Sequence, residues 1–105
     1  MPFSRGSWES PESTLDAGAF CQCCLIDENE TGTEKVKSKC KLPVRSQPGG
    51  PVNINAMHAA AAALAGARGG VSASSEKKTS AARKLKRLYA EAGEEAPDSL
   101  KRMAG

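Results

Sequence analysis

Aromatic side chains are scarce in this sequence of 105 residues, which has one tryptophan, one tyrosine and two phenylalanines. Much of its apolar content is alanine, which buries little area per side chain. A chain of this length forms one small domain at most, and folding hides only about 60–65% of the surface of the unfolded chain. The composition therefore excludes a large enzyme built around a deep pocket.

Long hydrophobic runs are also missing. The longest, residues 59–65, is far shorter than the roughly 20 residues that a membrane-spanning helix needs. The N-terminal residues MPFSRGSWES lack the apolar region of a secretory signal, and no lipidation motif is present. We therefore expect a protein that neither enters a membrane nor is secreted, with its cysteines in a reducing compartment.

Histidine occurs once, as His58. It has no Cys, Ser or Asp at a triad-like or ligand-like spacing, and a packed or capping role at the edge of a helix is predicted. No nucleophile–base pair and no carboxylate pair can be placed together from the sequence. We therefore expect no enzymatic activity and no cofactor.

Four cysteines lie close together in the first half of the chain: Cys21, Cys23, Cys24 and Cys40. A zinc site would have to use these residues, but zinc ligands usually come as C-x₂₋₄-C pairs. The first three are spaced too tightly for that pattern, and the fourth is alone. On a strand, Cys24 would also face away from Cys21 and Cys23. The spacing favours buried thiols over a metal site.

Periodicity predicts a small α+β domain behind an irregular arm. Residues 1–18 are rich in Ser, Gly, Pro and acidic side chains, which is typical of an arm, with a helical turn after Ser10. The apolar run 19–27 has strand length, and residues 34–42 alternate lysine with apolar or small side chains. The two runs predict a β-hairpin over residues 19–44. Its exposed face would carry a ladder of four lysines: Lys35, Lys37, Lys39 and Lys41.

A helical half follows the Pro/Gly-rich linker 45–52. The alanine-rich residues 55–68 predict one helix, capped by Asn53 or Asn55, and residues 75–92 predict a second.

Together the two helices predict an αα-hairpin over residues 53–93, ended by Gly93, against which the β-hairpin packs. Residues 94–105 form a C-terminal turn, from which Leu100 and Met103 reach the core. The organisation is thus an arm, 1–18, followed by one domain, 19–105.

The charge is unevenly distributed along the chain. Residues 1–50 carry six Lys/Arg against seven Asp/Glu, and the remaining residues carry nine against five. The basic second half is compatible with an anionic partner such as nucleic acid, or with an ordinary solvated surface. Candidate contact residues there are Arg68, Arg83, Lys84, Lys86 and Arg87.

Several segments together resemble a small domain of tailed bacteriophages and prophages, found in head-assembly gene regions beside or fused to prohead protease. The segments are CLID at 24–27, KCKLPV at 39–44, VNINAMHAA at 52–60, LAGARGGV at 64–71, AARKL at 81–85, LY at 88–89 and GEEAPDSL at 93–100. With Trp8 in a Ser-rich arm, the likeness extends over roughly residues 8–100. The CQCC cluster and the regular lysine ladder depart from it.

The resemblance implies a non-enzymatic structural or morphogenesis protein that acts through protein–protein contact in or on the capsid. Its partner would be a capsid or other head protein, or another copy of itself. It would be located in the virion head, or in the host cytoplasm during assembly. Apart from the resemblance, Trp8 and the lysine ladder are candidate contacts, and the alternative for the ladder is that its lysines only block strand-on-strand aggregation. The alternative is a small nucleic-acid-binding or regulatory phage protein that uses the basic helix 76–88 and the ladder.

Overall fold

A computed structural model describes residues 3–30, 32–66 and 70–104 and has the predicted α+β architecture. Within these ranges the chain forms four short strands, four α-helices and two 3₁₀ turns. In chain order the strands and α-helices are β1 (Phe3–Ser4), α1 (Ala17–Gln22), β2 (Cys24–Asp27), β3 (Cys40–Pro43), β4 (Val52–Asn53), α2 (Ile54–Leu64), α3 (Ser75–Ala92) and α4 (Asp98–Ala104). The 3₁₀ turns are Pro11–Ser13 and Lys37–Lys39.

The predicted antiparallel β-hairpin is confirmed but is shorter than expected. β2 pairs with β3, with Ile26 opposite Lys41 and Asp27 opposite Cys40. The expectation of a strand from residue 19 is wrong, because residues 17–22 form α1. This helix begins where the Asp16 side chain accepts a hydrogen bond of 2.8 Å from the Ala19 N–H, a typical N-terminal cap.

The prediction that residues 34–42 form one strand with a ladder of four lysines is wrong. The Asn29 carboxamide accepts a 2.8 Å hydrogen bond from the Val36 N–H and donates one of 3.3 Å to the Val36 carbonyl. Val36 is thus paired with a side chain before the chain turns through Lys37–Lys39. Only Lys41 of the four lysines lies within a strand.

The N-terminal arm was predicted to be irregular, but Phe3–Ser4 form a strand. β1 pairs in parallel with β4, which places Phe3 beside Val52 and Ser4 beside Asn53. Val44 connects the two small sheets, because its N–H donates to the Cys23 carbonyl at 3.0 Å and its carbonyl accepts from the Asn53 N–H at 2.8 Å.

The two long helices follow their predicted caps. α2 begins after Asn53, whose side chain accepts from the Ala56 N–H at 3.0 Å, and ends at Leu64, before the predicted end at residue 68. α3 has the predicted bounds, between the Ser74 cap and Gly93 in the left-handed conformation. None of the described helices combines the length and the apolar character needed to cross a membrane.

The core lies between the helices and the strands. Its most completely buried large side chains are Ile26, Val44, Val52, Met57, Leu85 and Leu100. α4 packs against α3, so Leu100 is buried as predicted and Met103 is partly buried.

Candidate functional site

A shallow apolar groove lies beside the single tryptophan. Its volume is about 220 Å³, and it is lined by Trp8, Ser10, Leu42, Pro43, Ala56, Ala59 and Ala60. We call it the Trp8 groove. Trp8 is half-buried: it packs against the core, and part of its side chain lines the groove.

The arm holds Trp8 in place through contacts on either side of it. Before Trp8, the Gly6 carbonyl accepts hydrogen bonds from Asn53 Nδ2 at 3.2 Å and Asn55 Nδ2 at 2.8 Å. After Trp8, Pro11 is buried at the start of a 3₁₀ turn that Ser10 caps. The Trp8 groove is thus built by the arm on the first turns of α2, where alanines leave room for it.

Leu42 adopts an unusual backbone conformation at the edge of the Trp8 groove. Its φ of 61° is the only positive φ outside glycine among the described residues. Such a conformation costs a non-glycine residue about 1–3 kcal/mol and persists only where the surroundings hold it. Strain of this kind concentrates at functional sites, which makes the groove the first candidate for a binding site.

A second, more polar furrow continues from the Trp8 groove. It has a volume of about 440 Å³ and shares Ser10, Leu42 and Pro43 with the groove. Glu12 and Lys41 line it, so one of the predicted ladder lysines reaches this surface. The two furrows together offer an apolar centre with charged groups at one side.

The cysteines divide into a bonded pair and two thiols. Cys21 and Cys40 form a disulfide, so the prediction of free thiols is wrong for these two residues. The packing of α1 against β3 brings the two sulfurs together. Cys23 is fully buried and Cys24 half-buried.

Both remaining thiols are poor nucleophiles. Burial raises the pKa of Cys23, against the opposing charge of Arg45. Burial also raises the pKa of Cys24, to about 12, with additional repulsion from Cys23, Asp27 and Glu12. Since the thiolate is the reactive form, neither residue is suited to attack the neighbouring disulfide.

The predicted cationic contacts are scattered. Lys35 forms an ion pair with Asp27, and Lys37 donates to the Glu12 carbonyl at 2.6 Å. Arg83 Nε donates to the Ala104 carbonyl at 3.2 Å and so ties α3 to α4. Lys39 is exposed near the hairpin.

Three predicted contact residues of α3 are exposed: Lys84, Lys86 and Arg87. In the described part of the chain none of them has an ion-pair partner. Arg68, another predicted contact, lies outside the described residues.

A cluster around Glu94 was not predicted. Its carboxylate meets His58 Nε2 at 3.2 Å and Arg5 Nη1 at 3.3 Å, and the His58 ring stacks on Tyr89 with centroids 5.9 Å apart. The hydrogen bond from His58, followed by that from Arg5, lowers the pKa of Glu94. The two adjacent glutamates after Gly93 were visible in the sequence, but the two partners of Glu94, which lie 36 and 89 residues away, were not. The cluster connects the arm, α2 and the end of α3.

Comparison of the chain with models of known protein families, with curated proteins and with solved structures gave no match.

Proposed function

We propose that this chain is a non-enzymatic structural or morphogenesis protein of a tailed bacteriophage that binds the capsid protein through the Trp8 groove. The observation that carries the proposal is the groove itself, an open apolar site built around a fixed tryptophan and a strained leucine. The resemblance of residues 8–100 to a phage head-assembly domain supplies the class of partner.

The groove has the character of an interface centre. Tryptophan is enriched among the few residues that supply most of the binding energy of an interface, and such residues lie in small pockets surrounded by weaker contacts. A standard interface buries about 800 Å² on each partner. That area is about one eighth of the 6143 Å² surface of this chain. An interface of this size would have the groove and the polar furrow at its centre.

Isolated phage heads test the location of the protein. Mass spectrometry of proheads and mature heads from the phage that encodes this chain is expected to detect it in at least one of them. Its absence from both would refute a structural role.

A matched pair of variants tests the groove. Ala59→Glu places a carboxylate in the Trp8 groove at an exposed position of α2. Ala62→Glu makes the same change at an exposed position of the same helix outside the groove. We expect Ala59→Glu to abolish association with purified capsid protein and Ala62→Glu to retain it. Equal retention of both variants would contradict binding at the groove.

A second candidate function rests on the exposed cations of α3. Lys84, Lys86 and Arg87 could neutralise phosphates, which gives nucleic-acid affinity that falls steeply with salt. We expect fluorescence anisotropy with duplex DNA at low salt to detect binding if this function holds. Charge reversal of Lys86 and Arg87 should then remove it, and Arg102→Glu on α4 should change it little. Affinity unaffected by the double reversal would exclude this function.

A further inference from the structure

Three metal-ligating side chains from different elements converge where α1 meets the hairpin. The Sγ atoms of Cys21 and Cys40 and a carboxylate oxygen of Asp27 all lie within 4.8 Å of one another. They come from α1, β3 and β2, respectively. Both cysteines are buried and Asp27 is half-buried, so the three groups form a compact and largely enclosed cluster.

We propose that reduction of the Cys21–Cys40 disulfide converts this cluster into a binding site for one zinc-class divalent cation. A dithiol gives two electrons and two protons to the cysteine sulfurs and itself becomes a disulfide. The cation then displaces both thiol protons to solvent and binds the two thiolates and the Asp27 carboxylate. This inference is independent of the function proposed above.

The ligand set suits zinc. Zinc binds thiolate sulfur at about 2.3 Å and carboxylate oxygen at about 2.0–2.2 Å, in tetrahedral geometry. Two sulfurs bound in that geometry lie about 3.8 Å apart, and breaking the Cys21–Cys40 bond frees the two side chains to move to that separation. Three protein ligands leave the fourth position to water.

Neighbouring polar groups already orient the three ligands. Asn29 Nδ2 lies 2.8 Å from Asp27 Oδ1, 3.3 Å from Cys40 Sγ and 3.8 Å from Cys21 Sγ. An amide that donates toward sulfur stabilises thiolates, and hydrogen bonds to ligating carboxylates are typical of metal sites.

The Asp27 carboxylate also retains room for a cation. Its Oδ1 accepts from the N–H and the side-chain amide of Asn29, and its Oδ2 accepts from Lys35. A carboxylate has about four lone-pair positions, so one remains for a cation.

Cys24 offers a matched control. It packs beside the cluster, but its Sγ donates to the Phe20 carbonyl at 3.3 Å and does not belong to the converging set. If cysteines bound the cation only because they are close in sequence, Cys24 would be a ligand as well. In the proposed site Cys24 is not a ligand.

Cobalt(II) alone serves as the probe, because thiolate ligation gives it strong charge-transfer absorption. The oxidised chain and the reduced chain, freed of reductant under nitrogen, are titrated separately. We expect one Co²⁺ per reduced chain, displaced by Zn²⁺, and none on the oxidised chain. Asp27→Asn, which keeps the disulfide for folding, should weaken binding at least tenfold after reduction. Cys24→Ser should bind as the parent does.

Each contrary result overturns the proposal. These results are no stoichiometric binding to the reduced chain, equal binding by Asp27→Asn, or loss of binding in Cys24→Ser. If reduction unfolds the chain, Zn²⁺ is expected to restore the far-UV circular dichroism of the oxidised protein. Failure to restore that spectrum would likewise overturn the proposal.

Discussion

Substitution of Asn53 gives the clearest quantitative test of the fold. Its side chain is buried at the junction of the arm and α2. Its Oδ1 accepts from the Ala56 N–H at 3.0 Å, and its Nδ2 donates to the Gly6 carbonyl at 3.2 Å. Asn53→Ala removes a helix cap, which costs about 1 kcal/mol, and a partly buried hydrogen bond, which costs about 1 kcal/mol. We expect the free energy of unfolding to fall by about 2 kcal/mol.

Two further variants separate these contributions. Asn53→Asp keeps the cap acceptor and places a negative charge at the helix N-terminus, where it is favourable. It also loses the donor to Gly6, so we expect a loss of about 1 kcal/mol. Asn55→Ala removes only exposed hydrogen bonds to the Gly6 and Arg5 carbonyls, and should cost less than about 1 kcal/mol.

Urea unfolding measures all three variants with two probes. Far-UV circular dichroism follows the helices, and fluorescence follows Trp8, the only tryptophan. If Asn53→Ala lies within about 0.5 kcal/mol of the parent, or Asn55→Ala is equally destabilising, the reasoning is refuted.

Three other changes have definite expected outcomes. Reduction of the disulfide, which spans 19 residues, should lower the free energy of unfolding in the presence of chelator by about 3 kcal/mol, and an unchanged urea midpoint would contradict this. Gly93→Ala should cost about 1 kcal/mol because φ is 73°, and this cost is purely conformational, since no atom of the described residues lies within 4 Å of the added Cβ; an unchanged melting temperature would show that the left-handed cap is unimportant. The pKa of Glu94 is lower in the folded chain, so its stabilising contribution is present above the ordinary pKa of 4.5 and is lost as pH falls through the folded value. Glu94→Gln should therefore flatten the acid limb of stability measured against pH, and an identical limb would contradict a role for this cluster.

The parts of the fold that depend on neighbouring residues, such as helix caps and apolar periodicity, could be predicted from the sequence. α3 has a serine cap, a wide apolar sector and a terminal glycine, and its bounds came out as predicted. Leu100 was placed in the core for similar local reasons. In these segments propensity, periodicity and capping all favour the same structure, so no distant contact is needed to choose it.

The front half was harder to predict because distant contacts decide its structure. Residues 19–22 are apolar enough for a strand, yet Asp16 caps a helix there and the bond from Cys21 to Cys40 holds it against β3. The alternating lysines met the period of a strand, but Asn29 pairs with the Val36 backbone in place of another strand. A side chain seven residues away thus overrode the periodicity.

The candidate site could be predicted only in part. Trp8 was expected as a contact residue from its type and setting. The groove beside Trp8 also depends on the backbone conformation of Leu42 and on Asn53 and Asn55, which bind the arm at Gly6, nearly 50 residues away. No sequence pattern predicts either feature. The same holds for Asp27, which joins the two cysteines only through the register of the hairpin.

The pairing of β1 with β4 has a consequence for the order of folding. It joins residues 49 positions apart, whereas the hairpin and the α3–α4 contact join segments much nearer in sequence. Closing a long loop is entropically costly and comes late when local contacts are available. We therefore expect the arm to dock last and to open first. Since Trp8 belongs to that arm, the Trp8 groove exists only once folding is finished, and incompletely folded chains would be excluded from binding through it.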